Sequence, residues 1–368
     1  MEFNKIAILG AGQGGLASAA DMVLLAGCEV NIFELPQFGK NLDPLKEAGG
    51  VYVERNGKKQ FAKLNIITTD IVEAIEGVDL IMPVVPTFAH KPMAELLAPL
   101  IKGGENIILN PGSTGGALEF LKVFRDMGVD KEFNLAETNT LPYGVRKSEP
   151  ATVRVLLDSK GLVFSAIPTS KTDEMLKAFK KLYPSTIKAK NVLEVGLNNG
   201  NPISHPTAAI LNTGRIEYTN GDYYHYKEGI TPSIARTMEK LDKERLAICD
   251  ALGIVGVPTA QRLVNLGYTE AADTLYEQYT TSKVFAPMRA PENMNGRFIT
   301  EDIPYGLVTW ASIAELINVD VPLMKSLVHV ASAIMGKEYF EEGRTMKNLG
   351  LEKLSIEEFK KFVEEGKF

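Results

Sequence analysis

Only four of the 368 residues are histidines, so few side chains can exchange a proton near neutral pH. One of them, His205, stands in NNGNPISHPTAAILNTGRIEY (198–218), a stretch dense in Asn, Gly and Pro between helical patterns. So many backbone-shaping residues around one imidazole indicate a shaped surface rather than a spacer, with a satisfied core histidine as the alternative. A second cluster, NGRFITEDIPYGL (295–307), sets Arg297 and Asp302 just ahead of another helical pattern. Its glycine and Pro304 suggest a fixed loop, and a plain local ion pair is the bland reading of the two charges. Of the remaining histidines, His90 follows a strand end and either approaches a ligand or caps the next helix. His225, in NGDYYHYKEG, reads as a solvated surface residue, and His329, in LMKSLVHVASAI, as a packed core ring.

A different chemistry is written in KIAILGAGQGGLASAADMVLLAGCEVNIFE (5–34). Ile6 to Leu9 predict a fully buried strand, an apolar run ended by glycine with no alternation. Gly10, Gly12 and Gly15 then form G-x-G-x-x-G, with Gln13 and Gly14 completing the loop. The first glycine permits a tight turn, the second leaves room for a pyrophosphate to reach bare backbone, and the third lets the helix lie close to the strand. The helix of small residues that follows points its N-terminal amides at that anion. Glu34, about 20 residues beyond the last glycine, closes the second strand where a carboxylate accepts hydrogen bonds from an adenosine ribose. A 2′-phosphate would meet its charge, so NAD(H) is favoured over NADP(H). Flavin, which uses the same fingerprint, is the runner-up.

These groups need a frame. Val51–Arg55 and Lys58–Leu64 around Asn56-Gly57 predict a hairpin that leaves the main sheet. Strands and helices then alternate up to about Leu182, which implies a parallel, doubly wound Rossmann-type sheet. Ligands of such sheets gather beyond the carboxyl ends of the strands. Three loops rich in unusual residues fall there: PVVPTFAH (83–90), NPGSTGGA (110–117) and ETNTLPYG (137–144). Pro86 is read as a cofactor contact, the amides of Gly112–Gly116 as a further anion site, and Thr140 or Glu137 as facing the nicotinamide edge. From about Leu193 the pattern is helical. Thr231-Pro232 opens a helix that Gly253 can end, and Ser355 with Glu358 forms a capping box for the last one. The chain is therefore divided into a dinucleotide-binding domain, 1–188, and an all-helical substrate domain, 189–368. Tyr143, Tyr223, Tyr224 and Trp310 are candidates to line a substrate pocket, with core packing as the default for each.

Bulk properties agree. The length predicts about two domains, and 45% hydrophobic with 23% charged residues is ordinary for a globular chain. A net charge of −6 with mixed signs announces neither nucleic acid nor an anionic membrane as partner. The N-terminus carries no apolar leader, and no run is long enough to span a bilayer. Cys28 and Cys249 lack zinc or redox spacing, and no metal set is evident, so a cytoplasmic protein acting on small molecules is expected. Homodimerisation is left open.

Over almost its entire length the sequence resembles the opine dehydrogenases, a family that includes octopine dehydrogenase. The resemblance is carried by GAGQGG (10–15), LNPGSTGG (109–116), ETNTLPY (137–143), NPISHP with NTGRIEY (201–218) and RFITEDIPYGL (297–307). It implies a nicotinamide-binding domain joined to a helical opine domain, with substrates in the cleft between them. It also implies a catalytic histidine at His205, an aspartate partner at Asp302 and a carboxylate-binding arginine at Arg297. The reaction it implies is the reversible, NAD(P)H-dependent joining of a 2-oxo acid to the amino group of an amino acid. Two other readings stand beside it. A hydroxy-acid dehydrogenase of the ketopantoate reductase or glycerol-3-phosphate dehydrogenase type commonly places a lysine on the first helix of its second domain, and VGLNNGN has none. A non-catalytic NAD(H) sensor would have no need of His205 or Asp302.

Overall fold

The computed structural model describes residues 1–367. Its strands are β1 (Lys5–Leu9), β2 (Glu29–Phe33), β3 (Gly50–Arg55), β4 (Lys58–Lys63), β5 (Ile66–Thr68), β6 (Leu80–Pro83), β7 (Asn106–Leu109), β8 (Asn134–Thr138), β9 (Tyr143–Glu149), β10 (Thr152–Asp158), β11 (Val163–Ile167) and β12 (Ile187–Lys188). Eight of them form one sheet in the order β12-β11-β8-β7-β6-β1-β2-β5. β1 lies parallel to both β2 and β6, so the strand order reverses beside it. A crevice at such a switch point is where open α/β sheets take ligands. The sheet is parallel from β5 to β8, but β11 runs antiparallel to β8, which the expectation of a wholly parallel sheet missed.

A second sheet, β4-β3-β10-β9, holds the expected hairpin. Asn56 and Gly57 both have positive φ, 52° and 74°, as a two-residue type I′ turn requires. The strand expected at Thr152–Leu157 pairs here, parallel to β3, and not in the main sheet. The helix Gln13–Leu24 is buried continuously from Gly14 to Met22 and contacts strands of both sheets. That explains its alanines, since a helix covered all round needs small or apolar residues on every face. Its one buried acid, Asp21, is held by both terminal nitrogens of Arg55, at 2.9 and 2.8 Å.

By their contacts the described residues form two units: 1–112, 116–192 and 364–367 in the first, 113–115 and 193–363 in the second. A single cut at residue 188 falls at the end of β12 and does not describe the return of the C-terminus to the first unit. The second unit is helical. Its longest helix, Pro232–Leu252, starts where the Thr231 hydroxyl accepts the Ile234 N–H (3.4 Å) and stops at left-handed Gly253, as its sequence predicts. The final helix, Ile356–Glu365, opens with the expected capping box between Ser355 and Glu358. Trp310 and Tyr223 are core residues, whereas Tyr224 is partly exposed. Tyr143, in the first unit, is also buried, its hydroxyl bonded to that of Tyr183 at 3.1 Å. Cys28 and Cys249 are free, buried thiols. Burial pushes both above the ordinary thiol range, Cys249 up to about 11.

Candidate functional site

In the first unit each glycine of the loop has a separate reason. Gly10 sits at φ 114°, and a Cβ there would meet the Val84 carbonyl oxygen at 2.7 Å. At Gly15 a Cβ would lie 1.9 Å from the Gly10 oxygen, so loop and helix touch backbone to backbone. Gly12 differs: nothing lies within 4 Å of its missing side chain. The helix that starts at Gln13 has no side-chain cap and no acid in its first turn, so its amides remain available to an anion. The Glu34 carboxylate accepts N–H groups from Ala11 (3.1 Å) and Leu35 (2.9 Å), which fixes it beside the loop. Open backbone, uncapped amides and an anchored carboxylate fit a dinucleotide with a free ribose diol.

The neighbouring loops divide. Pro86 is exposed after β6, heading the turn Thr87–Ala89, and Thr140 is half-buried after β8, so both stand at carboxyl ends of central strands. Of the Gly112–Gly116 amides read from sequence as a further anion site, that of Gly112 is already engaged. The Gly112 N–H donates to the Thr138 carbonyl (3.0 Å), and the buried Glu137 carboxylate takes the Ala117 N–H at 2.7 Å. Glu137 thus serves the fold, packed against Gly112, where a Cβ would meet its Oε2 at 2.2 Å. His90 is fully buried, edge-on to Phe120 and packed against Gly116.

In the second unit His205 lies in the helix Asn201–Leu211 and Asp302 just past the short helix Arg297–Thr300, at the entry to the π-helical turn Ile303–Leu307. Their side chains meet, Nδ1 to Oδ2, at 2.8 Å. Burial raises the Asp302 carboxyl, while the adjacent imidazole pulls it back. A carboxylate on Nδ1 fixes the tautomer that leaves Nε2 as the working nitrogen. Phe298 stacks on the imidazole at 4.1 Å and 20°. Arg297, 59% exposed at its side chain, does not pair with Asp302 as its spacing suggested. Its Nε donates to Glu301 Oε2 at 2.8 Å, and chiefly this acid raises the guanidinium further.

Two histidines are placed otherwise than expected. His225 is fully buried, 4.8 Å from Phe298 and edge-on to Tyr226, and desolvation with the nearby His205 pulls it down to about 3. The polar letters around it cover a ring that points inward. His329 is exposed, resting on Phe340, because it occupies the outer face of its helix. Sequence reasoning also passed over Glu301, although it follows Arg297 at the four-residue spacing of helical ion pairs.

A sheet with a nucleotide-type glycine loop, and a helical unit holding a carboxylate-oriented histidine, define a dinucleotide-dependent dehydrogenase with a separate helical domain. Residues 188–335 match the family model of the NAD/NADP octopine/nopaline dehydrogenase alpha-helical domain. An opine dehydrogenase of Arthrobacter sp. (strain 1C) is 32% identical over 364 residues, 99% of this chain and 100% of that one. The chain belongs to the opine dehydrogenase family, oxidoreductases that depend on NAD(P) and act on CH–NH donors. An octopine dehydrogenase structure in complex with NADH and agmatine shares the fold at a TM-score of 0.82 and 22% identity, covering 99% of this chain and 98% of that one. A PanE/ApbA family ketopantoate reductase from Ralstonia eutropha JMP134 aligns less well, at a TM-score of 0.60 and 18% identity over 90% and 98%.

Proposed function

We propose that the protein is an NADH-dependent opine dehydrogenase that reductively joins pyruvate or another small 2-oxo acid to the amino group of an amino acid, reversibly. The single observation that carries this reading is the 2.8 Å contact between His205 Nδ1 and Asp302 Oδ2. The condensation needs a neutral amine, loss of water from a carbinolamine, and reduction of the resulting imine. His205 Nε2 takes a proton from the amine and returns one to the departing oxygen, a role worth about 10² to 10⁴ in rate. Asp302 holds the ring in that tautomer and stabilises its cation. Glu301 occupies Arg297 Nε and leaves the two terminal nitrogens to grip the 2-oxo acid carboxylate side by side. The bound nucleotide supplies the hydride. Gly10, Gly12, Gln13, Gly14 and Gly15, with Pro86 and Thr140, would hold it, and the fixed charge of Glu34 favours NADH over NADPH.

The first unit then serves as the nucleotide domain and the helical unit as the opine domain. The buried free cysteines support a reducing, cytoplasmic setting. No helix among the described residues is long and apolar enough to cross a membrane. Incubation with NADH, pyruvate and a panel of amino acids, read by absorbance and product mass, tests the proposal. The expected product is a secondary amine carrying both acids. Oxidation of NADH by pyruvate without any amine would overturn it in favour of a hydroxy-acid dehydrogenase.

A further inference from the structure

Arg262 lies in the helix Thr259–Asn265. Its guanidinium rests on Gly200, the residue ahead of the His205 helix, so closely that a Cβ there would fall 1.5 Å from Nη2. The residue is half-buried, and among the described residues its guanidinium has no hydrogen-bond or ion-pair partner. Arg245 nearby shows what a satisfied guanidinium looks like in this unit. Its Nε donates to Asp242 Oδ1 (2.8 Å), Nη1 to the Leu197 carbonyl and Nη2 to the Val257 carbonyl, both at 2.7 Å. The other oxygen of Asp242 accepts the Thr259 N–H at 2.8 Å. The Asp242 carboxylate is thus taken by Arg245 and Thr259, and the positive charge of Arg262 is left over. Burial pushes Arg262 below its ordinary range; Tyr279 and Asp242 oppose that, and Arg245 adds to it. A desolvated charge is costly unless paired, and the missing partner is an anion.

The surroundings tie this charge to the candidate site. The Tyr279 hydroxyl hydrogen-bonds Ser204, the residue before His205. Tyr226 stacks on Tyr279 at 5.7 Å and stands 6.5 Å from the His205 ring. Gly200 is the N-cap residue of the helix that carries His205, five residues ahead of it, about 7.5 Å along the axis and about 140° round it.

We propose that Arg262 is the anion receptor for the amino substrate, binding a carboxylate of the amino acid whose nitrogen is presented to His205. The proposal rests on the opine dehydrogenase reading, and names the hold on the second substrate that Arg297 does not supply. Either the α-carboxylate or a side-chain acid fits this chemistry.

The test compares wild type with Arg262→Gln, Arg262→Lys and Gly200→Ala. KM is measured for norvaline, aspartate, glutamate and methylamine at saturating NADH and pyruvate, and separately for pyruvate. Loss of a charge-assisted contact should raise the amino-acid KM by about ten- to a hundredfold, with KM for pyruvate unchanged. Lysine should recover part of the loss, because it keeps the charge but not the fork. Gly200→Ala, in a backbone conformation open to alanine, displaces the guanidinium and should reproduce the glutamine variant, which also covers a failure of that variant to fold. An equal rise for every amino acid identifies the α-carboxylate; a rise confined to aspartate and glutamate identifies the side chain. Unchanged amino-acid KM values in Arg262→Gln and Gly200→Ala, or a matching rise for pyruvate, would overturn the assignment. Thermal midpoints titrated with each amino acid, without 2-oxo acid, read binding alone. If no amine supports NADH oxidation, the proposed reaction fails, while a glutamate-induced midpoint shift that Arg262→Gln abolishes still supports the receptor.

Discussion

At the scale of single residues, Asp302 and Glu301 are adjacent acids with separate tasks, one on the imidazole and one on the guanidinium. Asp302→Asn should lower kcat by about 10² to 10⁴ while leaving KM for pyruvate nearly unchanged. Glu301→Gln should instead raise KM for pyruvate by about tenfold, since Arg297 is no longer aimed, and leave kcat nearly unchanged. Steady-state kinetics separates the two outcomes. The sequence indicated His205 with Asp302 as its partner, but not that Glu301, rather than Asp302, holds Arg297. That pairing was illegible because the segment 297–302 turns from a short helix into a π-helical turn, so that neighbouring acids face different partners.

At the scale of elements, the glycine loop makes opposite demands at Gly12 and Gly15. Gly12→Ala meets open space and should leave the unfolding free energy within about 0.5 kcal/mol of wild type. It should nevertheless weaken NADH binding at least about tenfold, by filling the place a phosphate needs. Gly15→Ala must push the helix off the Gly10 carbonyl, and soluble folded protein should be lost. Nucleotide fluorescence titration and urea unfolding check the pair. This loop, its strand and its helix were readable from sequence because turn, cap and periodicity are local signals. The antiparallel β11 and the transfer of β10 to the second sheet were not. Those choices depend on which distant strand each one meets, and alternation within a strand does not name its neighbour.

At the scale of the whole molecule, the buried His225 should make stability depend on acid. Its folded value of about 3 lies below the ordinary 6.5. Above about pH 6.5 the ring is neutral folded or unfolded. Below it the unfolded chain binds a proton that the folded ring refuses, so stability falls by roughly 1.4 kcal/mol per pH unit down to about pH 3. Urea unfolding at pH 7 and pH 5 should therefore show a loss roughly 2 kcal/mol larger in wild type than in His225→Phe. Equal losses would mean that the ring protonates in the folded state. Nothing in NGDYYHYKEG revealed this, because neighbours in sequence report solvent contact only when the chain is straight.

The two cysteines carry a practical consequence of the same burial. Their protonated, enclosed thiols should ignore alkylating reagents at neutral pH, leaving the native chain silent to maleimide dyes. A fluorophore placed through Lys58→Cys in one unit and another through Lys337→Cys in the other, both at exposed positions, would then report distances between the units without any background labelling to subtract.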